Sequence, residues 1–314
     1  TERKELEEDL KAARKHAEQS SKAKEAFLTS MSHEIRTPLN AIIQLIREIG
    51  REPLSPVQNL YIQKAGLAGQ HLLSIVNDIL DITKIESGQL PLERQAFSLQ
   101  QVVENSVSIL SPSAEEKKLE VTASYSGQLA PAYMGDPARI KQILLNIINN
   151  AIKFTDSGSV NIEARVIGIT GPVHHLLLKV TDTGIGMDAE FLENVFDKFA
   201  QEEISTARKY GGTGLGLTIT RELVQLMDGT IRMASKKGAG TVVEIMLDLE
   251  TADASAIPPA ATEESYSFLQ GKSILVVDDN DIGRLVAGNS LAHYGIRVTE
   301  ATNGLEAIEQ LREN

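Results

Sequence analysis

Ser32-His33-Glu34-Ile35-Arg36-Thr37-Pro38-Leu39-Asn40 lies where a heptad seam changes step. Upstream, Leu6, Leu10, Ala13, Ala17, Ser20, Lys24, Phe27 and Met31 alternate spacings of four and three, the pattern of a coiled coil. From Phe27 through Met31 and Ile35 to Leu39 the spacings are four, four and four. Such a stutter locally unwinds a left-handed supercoil. Pro38 has no N–H to give the Glu34 carbonyl, so a bend is expected there. His33 precedes the seam residue Ile35 by two positions, roughly 200° round a helix, and is expected to face solvent. A neutral imidazole is a competent nucleophile near neutral pH, and Glu34 can accept a hydrogen bond from the other ring nitrogen. Thr37 and Asn40 share the His33 face, four and seven residues on. His16, His71, His174, His175 and His293 have no such setting and are expected to be ordinary solvated side chains.

Downstream the seam continues through Ile42, Ile46 and Ile49, and Gly50 to Pro56 is a turn-rich connector. A second amphipathic helix follows, with Ala65, Ala68, Leu72, Ile75, Ile79 and Ile82 on one stripe and Leu73, Val76 and Leu80 beside it; Ser87-Gly88 ends it. Two antiparallel helices cannot bury such wide faces alone, but two copies make a four-helix bundle. From about Leu92 to Leu249 the pattern becomes mixed. Strands are predicted over Leu119–Ser124, Ser159–Val166, Leu176–Thr181, Thr230–Ala234 and Thr241–Leu247, and helices over Leu99–Leu110, Ala138–Lys153 and Leu215–Met227. That order predicts an α+β two-layer sandwich with a largely antiparallel sheet. The stretch 250–271 reads as a flexible Ala/Thr/Ser/Pro/Glu linker, and 272–314 as the start of an α/β domain that opens on a strand ending in Asp278-Asp279. The expected division is 1–24 coiled coil, 25–91 helical hairpin, 92–249 sandwich, 250–271 linker and 272–314 partial domain, in what reads as a piece of a longer protein.

Composition narrows the chemistry. There is no Cys among the 314 residues, so disulfides and thiolate catalysis are excluded, which fits a reducing cytoplasm. A formal net charge of −12 argues against direct nucleic-acid binding. No apolar run is long enough to span a bilayer, and membrane contact is not expected.

Three more motifs supply ligand chemistry. In Leu145-Asn146-Ile-Ile-Asn149-Asn150-Ala151-Ile-Lys153-Phe154-Thr155, Asn146, Asn150 and Lys153 share one helical face. An Asn150 amide oxygen suits Mg2+, and the Lys153 ammonium suits phosphate. In Asp182-Thr183-Gly184-Ile185-Gly186-Met187, a carboxylate that only accepts can read the exocyclic amine of adenine but not the carbonyl of guanine. Gly184 and Gly186 allow close backbone approach. In Arg208-Lys209-Tyr210-Gly211-Gly212-Thr213-Gly214-Leu215-Gly216-Leu217, a basic, glycine-rich loop feeds a helix N-terminus able to cradle phosphates, and Gly211 and Gly212 suit a closing lid. This loop lacks the Lys-Ser/Thr ending of a P-loop.

Taken jointly and in this order, the four motifs resemble those of the histidine kinases of two-component signalling, from roughly Lys24 to Leu249. The resemblance implies a dimerisation and histidine-phosphotransfer bundle followed by an ATPase domain of the gyrase and Hsp90 kind, working with ATP and Mg2+. By motif, it makes His33 the phospho-acceptor, Glu34 its base, and Thr37 the residue that positions water in the reverse phosphatase reaction. Asn146, Asn150 and Lys153 would form the metal and phosphate box, and Asp182, Gly184 and Gly186 the adenine box. Phe196 and Phe199 match the aromatic box beside the lid, and Gly212, Gly214 and Gly216 the second glycine box, with Arg208, Lys209, Thr213 and Leu215 at the phosphates. Asp136 and Arg139 match a structural pair. The segment Ile274–Asn280 resembles the start of a receiver domain, where Asp278 and Asp279 would hold Mg2+ if that domain were complete, as in a hybrid kinase. The implied partners are a second copy of the chain and a response-regulator receiver domain. Two competing readings use the nucleotide motifs without His33: an ATPase clamp that closes on hydrolysis, and a pseudokinase scaffold that senses nucleotide. Formation of a phosphoprotein separates them from a kinase.

Overall fold

The computed structural model describes residues 31, 34–47, 49–50, 53–200, 214–258, 269–292 and 294–313. The chain divides into two compact units, with Asp81–Pro258 forming one of them. In the other unit, a helix over 34–47 (α1) continues through Pro38 unbroken. It packs on the helix Pro56–Glu86 (α2). Pro56 opens α2 at the position where its missing N–H costs nothing. Ser55 and Gln58 complete a reciprocal capping box, with Gln58 N donating to Ser55 Oγ at 3.3 Å and Ser55 N to Gln58 Oε1 at 2.9 Å. Gly66 and Gly69 allow the close approach, because a Cβ at Gly69 would lie 3.0 Å from Ile43. The Arg36 guanidinium also spans the pair, donating to Asn77 Oδ1 at 2.9 Å.

The expected seam needs correction. Leu39 and Ile43 are buried against α2, whereas Ile35, Ile42 and Ile49 are 41%, 50% and 46% exposed in the single chain. These three fall seven residues apart, so they form a separate apolar stripe on the face of α1 turned from its own partner helix.

In the Asp81–Pro258 unit, among the described residues, seven strands form one sheet in the order β1-β3-β7-β5-β4-β2, with β6 also on β7. These are Gln95–Phe97 (β1), Glu120–Ser126 (β2), Ala132–Gly135 (β3), Ser159–Thr170 (β4), Val173–Asp182 (β5), Thr230–Lys236 (β6) and Gly240–Ala252 (β7). Helices Leu99–Glu116 (α3), Pro137–Phe154 (α4) and Gly216–Leu226 (α6) supply the second layer, with a short α5, Ala189–Glu193, between β5 and α6. Pairing is antiparallel except between β2 and β4. Alternation does the packing: Val160, Ile162, Ala164, Leu176, Leu178, Val180, Ile245 and Leu247 point to the helices and are buried. Ile140, Ile143, Leu144, Ile147, Ile148 and Ile152 line the facing stripe of α4.

Both main helices start on side-chain caps. Ser98 accepts from Gln101 N at the head of α3. At α4, Asp136 Oδ1 accepts from Arg139 N at 3.0 Å while its Oδ2 takes Glu93 N at 3.0 Å, so the Asp136 and Arg139 pair is structural as expected. β7 runs three residues past Leu249, pairing Ala252 with Ala132, and a 3-10 turn Ala254–Ala256 follows. The first residues expected to be linker are therefore part of the sheet. His174 and His175 are not simply solvated either. His174 Nδ1 shares a 3.1 Å hydrogen bond with the buried Tyr133 hydroxyl, and His175 pairs with Asp248 at 2.7 Å.

α3 ends with Lys118 at φ 56, a left-handed conformation that favours glycine, which turns the chain into β2. Lys118 is exposed. Lys118→Gly is therefore expected to raise unfolding stability by about 0.5–1 kcal/mol. A urea titration of both proteins, showing no gain, would count against the strain.

Past the 259–268 stretch, Ser273–Val277 (β8) and Arg297–Ala301 (β9) pair in parallel, with Asp281–Ala292 (α7) crossing between them and Gly304–Glu313 (α8) after. This is the βαβ start expected for a doubly wound domain.

Candidate functional site

α4 carries Asn146, Asn150 and Lys153 at spacings of four and three, so its apolar stripe faces the sheet while these three share another side. The three have different surroundings. Asn146 Nδ2 donates to Thr220 Oγ1 of α6 at 2.7 Å, and its Oδ1 lies where a Cβ on Gly216 would stand. Asn146 therefore joins α4 to the start of α6, and Gly216 is glycine because that junction leaves no room. Asn150 is half-buried, and its amide makes no hydrogen bond within the described residues. The Lys153 ammonium lies 4.8 Å from the centre of the Phe154 ring, and burial lowers its pKa below the usual lysine value. A desolvated cation beside an uncommitted amide suits an anionic ligand accompanied by a hard cation.

Asp182 ends β5 and is 8% exposed. Burial raises its carboxyl above the ordinary carboxylate value, while hydrogen bonds from two backbone amides act the other way. Both bonds fall on Oδ1, from Gly184 N at 2.8 Å and Thr241 N at 3.2 Å. One oxygen is thereby fixed and the other has acceptor capacity to spare. The loop that follows is clamped by close contact. Ile185 N donates to Phe154 O at 3.1 Å, Gly238 N to Ile185 O at 2.7 Å, and Met187 N to Ser235 Oγ at 2.9 Å. A Cβ at Gly184 would overlap the Phe154 carbonyl, and one at Gly186, where φ is +62, would overlap the Lys236 carbonyl. The Gly184–Gly186 loop is thus seated on the carboxy end of α4.

The end of the lid motif meets the aromatic pair. Phe199, at φ 62 and 66% exposed, donates its N–H to Gly214 O at 3.1 Å, and Gly214 takes φ +70. Thr218 Oγ1 donates to Phe196 O at 2.9 Å, and the Arg221 guanidinium lies 5.7 Å from the Phe196 ring centre. Leu215, whose own side chain is buried, stands at the N-cap of α6. A helix N-terminus presents a positive dipole end to an anion.

The structure therefore gathers Asn146, Asn150, Lys153, Asp182, Gly184, Gly186, Gly214, Leu215 and Gly216 onto α4, the β5 loop and the start of α6. Glu34 and Thr37 are exposed on α1. His33 and the lid residues Arg208, Lys209, Gly211, Gly212 and Thr213 lie outside the described residues. Asp278 and Asp279 are exposed at the end of β8, where Asp278 Oδ1 accepts from Asn280 N at 2.8 Å. No group of three or more His, Cys, Asp or Glu able to hold a metal occurs among the described residues. Thr241, Thr220 and Ser235 escaped the sequence reading. Their bonds close over 48 to 74 residues, and no local pattern marks them.

Residues 23–88 match the His Kinase A (phospho-acceptor) domain, and residues 135–251 the histidine kinase-, DNA gyrase B- and HSP90-like ATPase family. The autoinducer 2 sensor kinase/phosphatase LuxQ of Vibrio cholerae is 37% identical over 311 residues, 98% of this chain and 36% of that protein. The sensor protein GacS of Pseudomonas syringae is 37% identical over 301 residues, 96% of this chain and 32% of that one. The chain spans about a third of the length of these curated relatives. Among solved structures, full-length ShkA in complex with AMPPNP is similar with a TM-score of 0.60 and 29% identity, over 90% of this chain and 57% of that one. By both domain matches, this chain belongs to the histidine kinases: a phospho-acceptor helical hairpin followed by a gyrase- and HSP90-like ATPase sandwich.

Proposed function

We propose that this chain is the catalytic part of an ATP-dependent histidine kinase, which phosphorylates His33 and passes the phosphoryl group to an Asp of a receiver domain. The observation that carries the reading is the Asp182 carboxylate, one oxygen tied to Gly184 N and Thr241 N, on a loop seated against the helix that bears Asn150 and Lys153. A base-reading group and a phosphate-end group are thereby held in fixed relation. The free acceptor capacity of Asp182 selects the adenine amine. Lys153 and the N-terminal end of α6 face phosphate charge, which offsets the cost of burying the lysine. Mg2+, held by the Asn150 amide oxygen together with the phosphates, would disperse charge on the transferring group.

A nitrogen of His33 attacks the γ-phosphorus as the bond to the bridging oxygen of ADP breaks, and Glu34 accepts the hydrogen bond of the other ring nitrogen. Thr37 positions water in the reverse hydrolysis. The apolar stripe of Ile35, Ile42 and Ile49 fits a second copy of the hairpin, giving a four-helix bundle. The βαβ segment from β8 onward is read as the start of a receiver domain, with Asp278 and Asp279 at its cation-binding end.

Incubation with γ-labelled ATP is expected to give an acid-labile, base-stable phosphoprotein. His33→Gln should remove that label entirely while leaving ADP binding unchanged. Label that persists on the variant refutes the acceptor assignment. ADP release with no phosphoprotein from the parent chain would favour the clamp ATPase instead.

A further inference from the structure

We infer that Lys117 is a positioning residue for the nucleotide: its ammonium locks the carboxy end of α4 and so fixes the spacing between the phosphate-end groups and Asp182. The inference rests on the nucleotide reading above. It starts from the orphan carbonyls that end every helix. Those of α4 are satisfied one by one. Ala151 O accepts from Thr155 Oγ1 at 2.7 Å, and Phe154 O accepts from Ile185 N at 3.1 Å. Lys117 Nζ donates to the other two, Ile152 O at 2.8 Å and Lys153 O at 2.7 Å, and also to the C-cap carbonyl, Thr155 O, at 3.2 Å. Three N–H bonds meet three carbonyls, and the positive charge complements the negative end of the helix dipole.

The location makes the cap more than a stabiliser. Lys117 grips the carbonyls of Lys153 and Thr155, the residues on either side of Phe154, and the Phe154 carbonyl is the one that receives the adenine-type loop at Ile185. Gly184 is glycine because that same carbonyl occupies the space of a Cβ. A shift of the last turn of α4 would therefore move Lys153 and the loop after Asp182 relative to Asn150. Lys117 itself is set at the C-cap of α3, where Lys118 N returns to Glu115 O at 2.9 Å and Leu119 N to Ala114 O at 2.9 Å. A neutral, shorter donor could serve one carbonyl but not three. Arginine, with five N–H donors, can serve several.

The test compares the parent chain with Lys117→Gln and Lys117→Arg, titrating ADP by calorimetry and measuring phosphorylation rate against ATP, well below each melting midpoint. Lys117→Gln is expected to raise the ADP Kd and the KM for ATP about tenfold with kcat within about twofold, and Lys117→Arg to stay within about threefold of the parent. A purely structural lysine would lower the melting midpoint and leave KM alone. Lys117→Gln with a parent-like KM, or Lys117→Arg as weak as Lys117→Gln, overturns the inference. Should Lys117→Gln fail to fold, Lys117→Arg decides alone, since a tenfold loss of ADP binding in that folded variant also overturns it. A parent chain that binds no ADP would instead refute the nucleotide reading itself.

Discussion

Asp182→Asn is expected to weaken ATP binding about a hundredfold, the loss of one charge-assisted hydrogen bond with an unfavourable contact in its place. The fold should survive, because an amide oxygen in the position of Oδ1 can still accept from Gly184 N and Thr241 N. What changes is the remaining corner of the side chain: an NH2 replaces an acceptor and meets the adenine amine donor to donor. The same NH2 can donate to the carbonyl of guanine, so GTP should gain on ATP. Stability should move the other way. Burial raises the native Asp182 carboxyl above its ordinary value near 3.8, so the native state takes up its proton before the unfolded chain does as pH falls. The unligated protein is therefore favoured below that raised value and loses this contribution as pH rises through it, and the desolvation cost is fully present at neutral pH. Asparagine carries no such cost, so the unligated variant should melt no lower than its parent at pH 7. Calorimetric titration with ADP and GDP, paired with thermal melts, checks each part. Unchanged ADP affinity would end the assignment of Asp182 as the base reader.

Gly186→Ala should have the largest effect on the fold, destabilising by about 3–5 kcal/mol through forced backbone movement and a left-handed alanine. The glycine has φ +62, and the missing Cβ would run into the Lys236 carbonyl and its carbon, which are backbone and cannot rotate away. Gly238 supplies the control. It has φ +75 but nothing within 4 Å of a Cβ, so Gly238→Ala should cost only the conformational term of about 1 kcal/mol. Urea unfolding of the two variants separates close packing from backbone conformation. Equal losses would mean that the contact between the β5 loop and the β6–β7 turn is not tight.

The proposed nucleotide residues stand out in the sequence because they come in short runs of unusual composition. α4 was legible because its apolar residues keep helical period over five turns, and the structure begins and ends it within one residue of the expected Ala138–Lys153. Strands β1 and β3 were not, being three and four residues long, too short for an alternation to register. α3 runs on to Glu116 through Pro112, past the expected end at Leu110. The parallel pairing of β2 with β4 was hidden in the same way, since hydrophobic pattern carries no direction. Burial on the hairpin misled in one respect. A single apolar stripe was expected on α1, whereas Leu39 and Ile43 meet α2 and Ile35, Ile42 and Ile49 do not, because 3.6 residues per turn spreads a long apolar run over two faces. Lys117 drew no notice because a lysine in a charged stretch, Glu115-Glu116-Lys117-Lys118, reads as solvated surface until its three acceptors, more than thirty residues on, are known.

β7 shares one edge between two neighbours, Gly240–Met246 with β6 and Glu250–Ala252 with β3. During synthesis on the ribosome, the segment around Tyr133 must therefore wait for more than a hundred further residues before its flanking strand exists. Until then the Tyr133 side chain, fully covered in the finished sheet, has that flank open to solvent and to chaperones. Residues Glu250–Ala252 close the sandwich, so a nascent chain halted at Leu249 would carry all its nucleotide motifs and still lack the pairing that holds β1 and β3 in place.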